Sequence, residues 1–134
     1  MNAVMVDSCV LLDIFTEDPA WFEWSCKALS EAAETRQLIT NPIVYAEISV
    51  GFAKIEELEN ALPRGLIEFC PIPREAAFLA GKSFLKYRRR GGTRTSPLPD
   101  FFIGAHAAVE KMPLITRDTT HYRRYYPNLE LIHP

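Results

Sequence analysis

The chain reads as an α/β protein: a three-layer sandwich whose central parallel sheet has about five strands, flanked by helices. Two observations predict it. Short apolar runs alternate with helical segments along the whole chain, and strands separated by helices pair in parallel through right-handed crossovers. The first run, Ala3-Val4-Met5-Val6, is apolar without interruption, as in a strand buried on both faces. It stops at Asp7, so an acid stands at the carboxyl end of a central strand, the edge where open α/β sheets hold their ligand crevice. At 134 residues the expectation is one domain, 1–134, long enough to bury a core.

Composition narrows the class. A hydrophobic fraction of 48% with 24% charged residues is that of an ordinary soluble globular protein. No apolar run approaches the roughly 20 residues of a membrane span. No basic segment precedes the first apolar run, so no signal peptide is expected. Three widely spaced cysteines (Cys9, Cys26, Cys70) provide neither a disulfide framework nor a paired zinc spacing, which suits a reducing cytoplasm. The net charge of −2 neither favours nor excludes nucleic acid, but Arg88, Arg89, Arg90, Arg94, Arg117, Arg123 and Arg124 all lie in the C-terminal half.

The elements follow in order. Asp7 and Ser8 start the first helix, with Val10, Leu11 and Ile14 at helical spacing. Asp18 then starts a helix with Pro19 in its first position, running to about residue 37. Trp21, Trp24 and Ala28 line one stripe of it; core is the plainer reading and a partner surface the second. Residues 38–40 predict the second strand. Asn41 caps and Pro42 opens the next helix, whose single acid is Glu47. A helix over 54–62 turns Glu56, Glu57 and Glu59 outward. Residues 66–72 predict the third strand, ended by Pro71 and Pro73. A long helix runs from there to Arg88–Arg90, where cations suit the helix dipole. Residues 91–96 form a loop by composition. Ser96-Pro97 starts a helix running to about residue 111, 113–116 is the fourth strand, a Tyr- and Arg-rich turn or helix follows, and 129–132 is the last strand.

The acids can now be placed. Asp7 follows the first strand and Asp118 the fourth. Asp100 lies in the first turn of a helix entered from the same edge, and Glu47 lies in the helix after the second strand. All four can converge on one crevice. Gathered carboxylates repel, and a divalent cation removes the conflict. Mg²⁺ and Mn²⁺ favour oxygen ligands and can lower the pKa of a bound water, a chemistry that fits phosphodiester hydrolysis. Solvated surface is the better reading for Asp13, Glu17, Asp18, Glu23, Glu31, Glu34 and Glu56. It is weaker for Glu47 and Asp100, which sit in apolar runs.

Four stretches carry a resemblance: Val6-Asp7-Ser8 with Leu11-Leu12; residues 40–47, Thr-Asn-Pro-Ile-Val-Tyr-Ala-Glu; residues 98–107, Leu-Pro-Asp-Phe-Phe-Ile-Gly-Ala-His-Ala; and residues 114–118, Leu-Ile-Thr-Arg-Asp, followed by Tyr122. In this order and at these separations the chain resembles the PIN-domain nucleases, most closely the VapC-type toxins of VapBC toxin–antitoxin pairs. The resemblance implies a PIN-like fold and a metal-dependent endoribonuclease with Asp7, Glu47, Asp100 and Asp118 as its carboxylates. It implies supporting roles for Ser8, Asn41 and Thr116, and Mg²⁺ or Mn²⁺ as cofactor. It implies a cognate VapB-type antitoxin, an RNA substrate, and a homodimer within larger toxin–antitoxin assemblies, none of them at a membrane. Departures are slight: Cys9 stands where Asn or Ser is common and Gly104 where Ala is common, and neither is expected to touch the acids.

Other residues take plainer readings. His106 lies six residues after Asp100, about 240° around the helix, so it is a packed or surface histidine. Surface is also the better reading for His121. Cys9 has no base beside it and reads as a small buried residue. Arg94 and Arg117 are the RNA-phosphate candidates, since each neighbours a proposed ligand segment. The 21–24 segment and Gly51-Phe52 are candidate docking surfaces. An aspartyl-phosphate phosphotransferase would need an acid where Cys9 stands, and a receiver domain would need a late lysine that is missing. A non-catalytic RNA- or protein-binding module of the same fold remains the alternative.

Overall fold

The computed structural model describes residues 2–62, 65–95 and 98–134. Its central strand is β1 (Ala3–Val6). Val4, Met5 and Val6 point alternately to opposite faces, yet all three are fully buried, so both faces of the sheet are covered. β2 (Gln37–Thr40), β3 (Ile67–Phe69), β4 (Leu114–Ile115) and β5 (Leu131–Ile132) complete a five-stranded sheet of order β3-β2-β1-β4-β5. Every pairing is parallel. The helices are α1 (Ser8–Phe15), α2 (Phe22–Thr35), α3 (Pro42–Ser49), α4 (Ile55–Ala61), α5 (Arg74–Arg89), α6 (Pro99–Val109) and α7 (Thr120–Tyr125). The fold is the α/β sandwich the sequence predicts.

Chain order runs outward from β1 through β2 to β3, then returns to β4 on the other side of β1. That reversal makes the β1/β4 carboxyl ends a topological switch point, where such sheets open a crevice. Met5 pairs with Leu114 and Val6 with Ile115, so Asp7 and Thr116 leave the sheet side by side. The core gathers the sheet residues with Val10, Leu11, Val44, Ile48, Phe101, Ile103 and Tyr122, all fully or almost fully buried.

Several boundaries differ from the sequence reading. The second helix begins at Phe22, because the Asp18 carboxylate takes the backbone N–H groups of Ala20 (2.9 Å) and Trp21 (3.0 Å) and closes a turn there. The third strand covers 67–69 only. Cys70 N–H still bonds Thr40 O at 2.9 Å, but Pro71 and Pro73 have no N–H to extend the ladder. The expected helix start at Ser96-Pro97 lies outside the described residues; within them α6 starts at Pro99, with Leu98 at the N-cap position and no side-chain capping bond. The last two strands are two residues each. Among the described residues no helix is long and apolar enough to cross a membrane.

Candidate active site

Asp7 is only 5% exposed, at the end of β1. Its side chain caps α1: Oδ1 accepts from Ser8 N–H at 2.8 Å. Oδ2 accepts from the Thr116 hydroxyl at 2.8 Å and the Tyr122 hydroxyl at 2.9 Å. Burial raises the Asp7 pKa, the Asp100 charge adds to the rise, and the donors from Thr116, Tyr122 and Ser8 oppose it.

Glu47 arrives from α3 and accepts from the Ser8 hydroxyl at 2.8 Å. Its pKa is also raised, by burial first and then by the charges of Asp7 and Asp100. Asp100, in the first turn of α6, faces His121 Nδ1 through Oδ2 at 3.0 Å and the Tyr122 hydroxyl through Oδ1 at 3.4 Å. Tyr122 therefore stands between Asp7 and Asp100. Burial and both acids push its pKa well above the usual value, so it remains a hydrogen-bond donor.

Asp118 is placed differently. It is exposed, and its Oδ1 takes Thr120 N–H at 3.2 Å at the start of α7. Its own N–H bonds the Thr116 hydroxyl oxygen at 3.1 Å, which ties it to Asp7 through one residue. The structure thus links Asp7 to Glu47 through Ser8 and to Asp100 through Tyr122, and holds the exposed Asp118 at the rim. Among the described residues no three His, Cys, Asp or Glu side chains stand close enough to enclose a metal ion. The donor set nevertheless fits a hard divalent cation. It is all carboxylate oxygen, the pKa values of Asp7 and Glu47 are raised in part by neighbouring acids, and no Lys or Arg forms an ion pair with the set among the described residues.

The supporting residues each have a structural account. Ser8 links Asp7 to Glu47, and Thr116 links Asp7 to Asp118. Asn41 caps α3 by accepting Val44 N–H at 2.9 Å, and its amide donates to His106 Nδ1 at 3.1 Å. His106 is buried as a packed histidine, and burial lowers its pKa. Cys9, half-buried 3.7 Å from the Thr116 hydroxyl, has its thiol pushed up to about 11 by burial and by Asp7, so it is no nucleophile at neutral pH.

Four sequence readings change. Asp13 is not solvated surface: it is 3% exposed and pairs with Arg117, Nε to Oδ2 at 2.8 Å and Nη2 to Oδ1 at 3.0 Å. The Arg117 guanidinium, read as a phosphate contact, is engaged there. His121 is half-buried against Asp100 rather than a surface residue. Gly104 does bear on the acids: a Cβ there would meet the Tyr126 ring at 2.5 Å and the Tyr122 ring at 3.0 Å. Tyr122 was visible only as the aromatic after the fourth strand, with nothing in the sequence to say that its hydroxyl reaches two acids. Arg94 stays exposed in the loop before α6.

The model of the PIN domain matches residues 4–126. Comparison with curated proteins finds no match. The structure is similar to VapBC2 from Rickettsia felis bound to a promoter DNA fragment (20% identity, 98% of each chain, TM-score 0.72). It is also similar to VapBC-1 from nontypeable Haemophilus influenzae (17% identity, 98% of this chain and 97% of that one, TM-score 0.72). A toxin–antitoxin complex from Klebsiella pneumoniae shares the fold at 22% identity, 96% and 95% coverage and a TM-score of 0.69. With a family match over nearly its whole length and a sheet whose switch point carries Asp7, the chain belongs to the PIN domain family.

Proposed function

We propose that residues 1–134 act as one PIN domain, a metal-dependent endoribonuclease serving as the toxin of a type II toxin–antitoxin pair. The observation that carries this reading is the gathering of Asp7, Glu47 and Asp100 at the switch point of the sheet, bridged by Ser8 and Tyr122, where the Asp100 charge adds to the raised pKa of Asp7 and both charges add to that of Glu47. Asp7, Asp100 and Asp118 would hold Mg²⁺ or Mn²⁺, with Glu47 close by. Such an ion supplies a water of lowered pKa and offsets charge developing on the phosphoryl oxygens.

The chain's own residues do the rest. Ser8, Thr116 and Tyr122 fix both oxygens of Asp7, so its orientation is set before any ligand arrives. Ser8 anchors Glu47 by Oε1, and its raised proton affinity suits it to accept a proton from the attacking water. Arg94, exposed beside the segment that carries Asp100, is the phosphate contact. Because the structural relatives are toxin–antitoxin complexes, a cognate antitoxin and a homodimer are part of the proposal. Purified protein should cleave RNA with Mg²⁺ or Mn²⁺ and not in chelator; no cleavage under either metal would leave a non-catalytic binding module.

A further inference from the structure

Arg117 sits between Thr116 and Asp118, yet its side chain turns to a different partner set. Both guanidinium bonds go to the two oxygens of Asp13, in the last turn of α1. The Ser25 hydroxyl, from α2, donates to Asp13 Oδ2 at 2.8 Å. The Trp21 ring lies against the guanidinium, 5.6 Å from centroid to carbon. The Asp13 side chain is 2% exposed and that of Arg117 31%. A bidentate arginine–carboxylate pair is a directional contact as well as an attraction.

The β4–α7 connection is consequently tied to both ends of α1. Thr116 bonds Asp7 at the helix N-cap, and Arg117 bonds Asp13 six residues later, about 9 Å along the axis. Two anchors on one rigid helix fix the position and the direction of the peptide between them. Asp118 follows at once, its N–H on the Thr116 hydroxyl. A buried ion pair is weak evidence for stability, since apolar residues of similar volume often do as well. Its value here is geometric.

We infer that Arg117 is a positioning residue: the Asp13–Arg117–Trp21 clamp holds the β4–α7 connection so that Thr116 meets Asp7 and Asp118 stays at the rim of the acidic site. This rests on the nuclease reading for its consequence in catalysis, but not for the clamp itself.

The test uses the full chain with Arg117→Ala, Asp13→Asn and the paired Asp13→Leu/Arg117→Met, the last keeping the site filled if a single change fails to fold. Three readouts are compared with the wild type: amide exchange over residues 114–120, Mn²⁺ affinity by calorimetry, and RNA kinetics across a salt series. Both single variants should exchange faster at Asp118, bind Mn²⁺ about tenfold more weakly and lose about tenfold in kcat. KM and the salt slope should hold within twofold. The paired variant should show the same local loosening with its melting temperature retained. Arg117→Lys, which keeps the charge without the fork, should fall between. If Arg117→Ala weakens RNA binding and flattens the salt slope by about 0.7 while Asp13→Asn does neither, Arg117 is a phosphate contact and the inference is overturned. Unchanged exchange at Asp118 in both single variants overturns it as well. A wild type that binds no Mn²⁺ and cleaves no RNA would sink the nuclease reading alone, because the exchange experiment still decides the clamp.

Discussion

Gly104→Ala replaces one hydrogen by a methyl group in the middle of α6, a change that favours an isolated helix by about 1 kcal/mol. Here the sign should reverse. The added Cβ would stand 2.5 Å from Cδ2 and Cε2 of Tyr126, where ordinary contact begins at 3.4 Å, so the ring must move by close to 1 Å. It cannot swing freely: its hydroxyl donates to Phe101 O at 2.7 Å, and the residue is 6% exposed. Tyr122, 3.0 Å from the same Cβ, carries the hydroxyl that holds Asp7. Overpacking of this kind costs about 1–3 kcal/mol, which exceeds or cancels the propensity gain. The net loss, up to about 2 kcal/mol, corresponds to a fall of up to about 8 °C in Tm for a domain of this size. Calorimetry in chelator measures it, and near-ultraviolet circular dichroism reads the tyrosine environment. A variant melting at or above the wild type, with an unchanged tyrosine signal, would refute the packing argument.

Asp7→Asn should abolish metal-dependent cleavage while keeping the fold. Because the folded pKa of Asp7 is raised, the ionised group costs stability above that pKa, and the cost disappears as pH falls toward the ordinary value near 4; each unit of the rise is worth about 1.4 kcal/mol. In chelator at pH 7 the Asn variant should therefore melt higher than the wild type, with the gap closing toward pH 4; a constant gap would count against the burial account. His106, whose pKa is lowered in the fold, should make the protein less stable as pH falls below about 6.5, by up to about 1.4 kcal/mol per unit. Urea unfolding of His106→Gln, which can still accept from Asn41, should lack that component. Arg94→Ala in the Asp7→Asn background should weaken RNA binding and reduce the salt slope by about 0.7; unchanged affinity from low to high salt would clear Arg94 of the role.

Much of the site was legible because its signals are local. Asp7 ends an apolar strand and starts a helix, so its place on the sheet edge follows from the residues beside it. Glu47 and Asp100 betray themselves as acids within apolar runs, behind a capping Asn41 and a helix-opening proline. The misreadings concern partners far apart in sequence. Asp13 looked solvated because Arg117, which neutralises it, lies 104 residues away. Tyr122 meets Asp7 across 115 residues, and Gly104 matters only through the rings of Tyr122 and Tyr126. The third strand was drawn too long because its β-forming side chains continue to Ile72, while its ladder depends on backbone donors that two prolines lack.

On the proposed nuclease reading, RNA is cut by water at a carboxylate-held metal, with no histidine, cysteine or serine as nucleophile. Water attack needs no ribose 2′-hydroxyl, so the chemistry at the cut ends reports directly on it. Cleavage should stop in chelator and return with Mg²⁺ or Mn²⁺, leaving a 5′-phosphate and a 3′-hydroxyl. End-group analysis that finds a 2′,3′-cyclic phosphate would contradict the assignment of Asp7, Glu47, Asp100 and Asp118.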